Sequence, residues 1–121
     1  MSRYRLEKGF CLQGGGWPNK DGPITVPLET QMYAQFPNRK WAVSAARTSD
    51  PNSARAEFSI MLGDNSKWLG PGGGDAHGYS VFANVVGGQD VVEVIQAQGN
   101  VKHENGLNYL QPAIPIYSVD A

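Results

Sequence analysis

Few side chains here are of kinds that make or break bonds, and their spacing does not assemble them. The histidines are His77 and His103 and the single cysteine is Cys11, with no metal-ligand spacing among the three. Gly70-Pro71-Gly72-Gly73-Gly74 lacks the Gly-Lys-Ser/Thr of a phosphate loop and precedes a strand pattern. There is no Gly-x-Ser-x-Gly elbow. The carboxylates are scattered, with no pair to set across a cleft. Recognition is better served. In the run Glu57 to Leu62 a period of two places Phe58, Ile60 and Leu62 on one face and Glu57, Ser59 and Met61 on the other. The first set is expected to be core, and the second to look onto whatever the protein binds. Arg5, taken by itself, reads as a solvated arginine near the start of the chain.

Four ordered blocks change that reading. Ala45-Ala46-Arg47-Thr48, followed by Pro51, Ser53-Ala54, Glu57-Phe58 and Ile60, resembles the pattern M-A-R-T-x-x-P-x-S-A-x-x-Q-F-F-I of bacterial-type cyclophilins, which are peptidyl-prolyl cis–trans isomerases. Arg5 with Gly9-Phe10-Cys11-Leu12-Gln13-Gly14-Gly15 is similar to that family's R-x-x-x-G-F-M-x-Q-G-G. Trp68-Leu69 matches its W-L. Gly78-Tyr79-Ser80-Val81-Phe82, Val85-Val86 and Asp90-Val91-Val92 match its G-Y-x-V-F, V-V and D-V-V. The likeness runs from about Tyr4 to Val119.

The resemblance implies an isomerase of X-Pro bonds acting on proline-containing peptides or unfolded proteins. Amide resonance sets a barrier of roughly 18–20 kcal/mol to that rotation, and no bond is broken. Neither nucleophile, metal nor cofactor is needed, and none is expected. A donor aimed at the prolyl nitrogen stabilises the twisted amide, and Arg5 takes the family's catalytic position. Phe10, Cys11, Ser59 and Leu69, with Tyr79 nearby, would line the proline pocket. Gln13 and the backbone of Ala46, Arg47 and Thr48 would bond the substrate's peptide groups, although Gln13 also suits a plain strand end. Trp68 occupies the position through which many members bind cyclosporin, and equally suits a loop aromatic covering the core. Where the family has methionine, phenylalanine and glutamine, this chain has Cys11, Ser59 and Glu57. These changes shrink the apolar wall and point to low efficiency. The competing expectation is a binding module that grips proline segments without turnover; a barrel kept only for scaffolding ranks third.

Composition is compatible with both leading readings. The chain has 121 residues, 40% hydrophobic and 17% charged, enough for one folded domain over 1–121. A formal net charge of −1 offers no bulk field for nucleic acid or an anionic membrane. No apolar run approaches the roughly 20 residues of a membrane span, and Met1 to Arg5 lacks the apolar stretch of a secretory signal. One cysteine permits no internal disulfide and fits a reducing, cytoplasmic setting.

Fifteen glycines and eight prolines fall between short alternating runs, which favours a mainly β domain. Tyr4 to Leu6 and Phe10 to Gln13 read as a strand pair or one bent strand, Phe10 and Leu12 facing one way, Cys11 and Gln13 the other. Gly14 to Gly16 is a bend or a close backbone approach, Pro18 to Pro23 a loop and Ile24 to Leu28 a short edge strand. A helical turn around Met32-Tyr33-Ala34 precedes the strand from Trp41 to Ala46. Arg47 to Ser53 is a turn and Gly63 to Gly78 a long surface loop. Tyr79 to Val86 is the strongest strand. The one convincing helix lies at about 89–98, with Val91, Val94 and Ile95 in one stripe at i, i+3, i+4 and Gly99 ending it. Asn100 to Gln111 reads as polar loop, and Ala113 to Val119 as a closing strand.

Members of the family begin with two further strands and a helix, so the expected fold is a cyclophilin-like antiparallel β-barrel lacking those elements. Three outcomes are open: a smaller re-closed barrel, capping by a loop such as 29–40, or a homodimer pairing exposed strand edges in place of a monomer.

Overall fold

Leu6 and Leu12 alternate with Arg5, Cys11 and Gln13, and that period of two makes a two-sided sheet. In the computed structural model, which describes residues 5–15, 35–54, 57–98 and 101–110, Leu6 lies directly opposite Leu12 and Arg5 opposite Gln13. The strands are β1 (Arg5–Glu7), β2 (Cys11–Gly15), β3 (Ala42–Ala45), β4 (Glu57–Met61), β5 (Val81–Asn84), β6 (Val101–Glu104) and β7 (Leu107–Leu110). One helix, α1 (Gln89–Ala97), lies between β5 and β6 in sequence. The sheet order is β5-β3-β4-β2-β1-β7-β6, every pairing antiparallel. Among the described residues the sheet is open, with β5 and β6 at its edges. The fold is mainly β with a single helix, as expected. The strand at Ile24 to Leu28, the turn around Met32, Gly99 and the closing strand at Ala113 to Val119 lie outside the described residues.

Each sheet face carries its own core. On one, Leu6, Leu12, Leu62 and Leu110 pack together under Val92 and Ile95 of α1. On the other, Cys11, Ala42 and Met61 pack under Phe10, Leu69 and Val81. The two faces of β4 are divided as expected, but their burial is not: Met61 (1% exposed) and Ser59 (8%), on the side expected to look onto a ligand, are the buried members, while Phe58 and Ile60 are only half-buried. Loop side chains have folded down over the face meant for ligand. Phe10 belongs to this face with Cys11, not with Leu12, because it precedes β2 in a turn led by Gly9 at φ +74°.

Three further corrections have local causes. The helix presents Val92 and Ile95 to the core and leaves Val91 (58%) and Val94 (65%) exposed. Apolar residues at 91, 92, 94 and 95 leave two stripes nearly equal, and tertiary contact chose the one that periodicity did not. The segment 101–110 is a hairpin, not a loop: Asn105 (φ +53°) and Gly106 (φ +79°) form the two-residue turn that Asn-Gly favours, because both positions need positive φ. The strand expected from Tyr79 to Val86 is trimmed to Val81–Asn84, since Ser80 and Tyr79 leave the ladder to bond Ala45 and Leu69.

Candidate active site

The pocket face of the sheet brings Arg5, Cys11, Gln13, Ser44, Ser59 and Met61 side by side, because they are register partners or alternate along β1 to β4. Above them the chain supplies Phe10, Leu69 and Tyr79, closing a cleft of about 210 Å³ that Ala45, Ala46 and Arg47 also line. A shallower hollow continues past Phe10, Leu69 and Tyr79 to Trp68, Gly74 and Asp75. All the expected site residues meet in the cleft except Thr48, Glu57 and Trp68. Trp68 stands in the adjoining hollow, 68% exposed. Glu57 sits at the exposed start of β4 and accepts from Gln13 Nε2 at 3.3 Å. Thr48 lies in the exposed turn after β3, where its backbone N–H donates to Ser53 Oγ at 3.0 Å.

Two buried asparagines fix the upper wall, and sequence reading passed over both. Asn65 Nδ2 donates to the Phe10 carbonyl at 2.8 Å, and the Asn65 carbonyl accepts from Leu69 N at 2.9 Å. Asn38, fully buried, donates from Nδ2 to the Tyr79 carbonyl at 3.0 Å. A short polar side chain in a loop looks like turn chemistry, and only its burial marks it as a brace. Met61, expected on the ligand side with Ser59, forms the floor together with Ser44, which was not singled out although its alternation along β3 puts it there.

Arg47 is in the site, with its side chain turned away from solvent. Its guanidinium is 1% exposed, donates to Asp75 Oδ1 at 3.0 Å and to the carbonyls of Gly78 and Thr48, and stacks 4.3 Å from the Tyr79 ring centre. Asp75 also accepts from the His77 and Gly78 amides. Gly78 is required here: at φ +76° a Cβ would stand 2.6 Å from Pro71 N. The Arg47–Asp75 pair therefore pins the glycine-rich loop behind the Tyr79 wall.

Arg5 is the cation within reach of the cleft floor, its side chain 27% exposed. Its Nε donates to Glu7 Oε2 at 3.3 Å and its Nη1 to Gln13 Oε1 at 3.5 Å. Gln13 thereby links Arg5 to Glu57. A guanidinium presented to this cleft can donate a hydrogen bond to a weakly basic nitrogen.

Burial pushes the Cys11 thiol up to about 11, an effect that Arg5 opposes and Glu7 adds to. At neutral pH it is a small apolar wall, not a nucleophile. Iodoacetamide at pH 8 is therefore expected to alkylate Cys11 at least about tenfold more slowly than a free thiol. A mass-spectrometric time course with and without denaturant checks this. Among the described residues no group of three His, Cys, Asp or Glu side chains could hold a metal ion, and no helix is long and apolar enough to cross a membrane.

The chain has relatives. A family model described as "Cyclophilin type peptidyl-prolyl cis-trans isomerase/CLD" matches residues 1–120. A peptidyl-prolyl cis-trans isomerase of Acinetobacter baylyi is 35% identical over 94 residues, 76% of this chain and 49% of the relative. The peptidyl-prolyl cis-trans isomerase cyp18 of Streptomyces antibioticus is 37% identical over 100 residues, 77% of this chain and 58% of its own. Peptidyl-prolyl cis-trans isomerase B of Escherichia coli is 36% identical over 97 residues, with the same two coverages, 77% and 58%. The chain thus spans about half to three fifths of the length of these curated relatives. With the match covering nearly every residue and the four sequence blocks meeting around one cleft, the chain belongs to the cyclophilin-type peptidyl-prolyl cis-trans isomerase family.

Proposed function

We propose that this chain catalyses rotation about X-Pro peptide bonds, with Arg5 as the catalytic residue and Phe10, Cys11, Leu69 and Tyr79 as the cradle for the proline ring. The observation that carries the reading is the meeting of a persistent cation, a hydrogen-bonding glutamine and an apolar wall in one cleft. As the amide twists, the prolyl nitrogen loses conjugation and its lone pair localises. A guanidinium proton within reach then binds the twisted form better than the planar one, and only such a difference raises the rate. Each tenfold needs about 1.4 kcal/mol. Gln13 and the strand end at Ala46 would hold the flanking peptide groups still while the bond turns.

Efficiency is the weak point. Ser59 forms the floor where the family carries phenylalanine, and the ring that is missing could have contributed on the order of 2 kcal/mol of apolar burial. Ser59 lines the cleft beside Met61 and Ser44, so a ring at that position would enter the cleft. Ser59→Phe is expected to raise kcat/KM by about tenfold on a short Ala-Pro peptide. No gain would mean that the pocket has been rebuilt from other residues.

The small Ser59 and the Glu57 contact to Gln13 favour a second reading, a module that holds proline segments without turning them over. Amide shifts of Phe10, Cys11 and Gln13 on titration with an Ala-Pro peptide, followed by exchange NMR on the same sample, separate the two. Catalysed exchange supports the isomerase; saturable binding with exchange at the uncatalysed rate supports the module. The clients are proline-containing peptides and unfolded chains. The exposed Trp68 beside the cleft suits a large cyclic peptide such as cyclosporin. A chain whose one cysteine stays a thiol suits the cytoplasm, and where two copies pair, the edges β5 and β6 are the strands on offer.

A further inference from the structure

We propose that Glu7, itself clamped by Asn108, is the positioning residue that holds the Arg5 guanidinium at the cleft. The inference rests on the assignment of Arg5 as catalyst. In the family pattern R-x-x-x-G-F the position of Glu7 is one of the open ones, so the resemblance is silent about it.

An arginine side chain is long and flexible, and a donor that wanders spends little time aimed at the prolyl nitrogen. Alternation along β1 puts Arg5 and Glu7 on the same face, where Glu7 Oε2 accepts from Arg5 Nε at 3.3 Å. Gln13 Oε1 accepts from Nη1 at 3.5 Å. Two acceptors on two nitrogens fix the guanidinium plane, and among the described residues nothing occupies Nη2.

Glu7 is no loose surface carboxylate. Its side chain is 18% exposed, its Oε1 accepts from Asn108 Nδ2 at 2.7 Å, and its Oε2 also accepts from Asn108 N at 3.3 Å. Asn108 lies in β7, and β7 is paired with β1 through Tyr109 and Arg5. Farther out, His103 Nδ1 stands 3.0 Å from Asn108 Oδ1. With a proton on that nitrogen, every bond from His103 through Asn108 to Glu7 is matched donor to acceptor. The Asn-Gly hairpin, remote from the cleft in sequence, thus acts as a brace that reaches Arg5 through one carboxylate.

The test is exchange NMR on an Ala-Pro peptide, giving kcat and KM for wild type, Glu7→Ala, Glu7→Gln and Asn108→Ala, with Arg5→Ala run beside them. Glu7→Ala is expected to lower kcat about tenfold with KM within about twofold. Glu7→Gln keeps an oxygen for Nε and should stay within about threefold of wild type, while Asn108→Ala loses about two- to fourfold. A rate equal to or above wild type in Glu7→Ala would mean that the carboxylate idles or merely weakens the cation, and would overturn the proposal. So would parallel losses of kcat and peptide affinity, the mark of a structural role. If Arg5→Ala keeps full activity, the catalyst assignment fails instead. The clamp is then judged by the Arg5 Nε–Hε resonance, which must move and exchange faster in Glu7→Ala; an unmoved resonance refutes the clamp whatever the rates.

Discussion

Arg5→Ala should lower kcat/KM on a short Ala-Pro peptide by about two to three orders of magnitude, while peptide affinity stays within about threefold. The size follows from the chemistry. Rotation needs no proton transferred and no bond cleaved, so a donor at the localising lone pair is the largest lever available, and Arg5 is the cation at the cleft floor. Affinity should change little, because the cradle of Phe10, Leu69 and Tyr79 is held by Asn65 and Asn38 and does not lean on Arg5. Arg5→Lys keeps the charge but loses the Nε and Nη1 contacts to Glu7 and Gln13, and should recover only a small part of the rate. Exchange NMR measures both variants. Loss of affinity in step with rate would make Arg5 a binding residue only.

Arg47→Ala should cost about 3 kcal/mol of unfolding free energy, measured by urea denaturation at pH 7. That side chain is nearly sealed from water, bridges the end of β3 to the loop at Asp75 and Gly78, and backs the Tyr79 ring. Truncation leaves a void behind the ring and two carbonyls with one donor fewer. Acid probes the same joint from the other side. The Arg47 hydrogen bond, helped by the His77 amide, holds the Asp75 carboxyl at about 2, below its ordinary 3.8. A depressed carboxyl favours the folded state fully above its ordinary value and loses that contribution as pH falls towards 2. Wild type should therefore loosen around Tyr79 between about pH 4 and 2, and Asp75→Asn should lose that acid sensitivity.

Much of the site was legible because it is written in alternation and short blocks. A period of two puts Ser59 beside Gln13, and Gln13 beside Arg5, on one face whatever the tertiary detail. The helix was legible as a helix, but its inner stripe was not, since Val91 and Val92 are equally apolar and only packing on Leu6 and Leu12 decides between them. That the ligand side of β4 would also be the more buried one was not legible, for a different reason. Phe10 and Leu69 arrive from loops, and no strand periodicity announces that a loop will cover a face. The hairpin at 101–110 was the avoidable miss, for Asn105-Gly106 between alternating residues is a turn signal in its own right. That miss hid Asn108, and with it the support beneath Glu7.

The most direct test of the central claim is a crystal structure with an Ala-Pro peptide bound in the cleft. The account predicts the proline ring against Phe10 and Leu69, and a guanidinium nitrogen of Arg5 about 3 Å from the prolyl nitrogen. A ring seated there with that guanidinium turned out towards Glu57, beyond about 5 Å from the nitrogen, would contradict it.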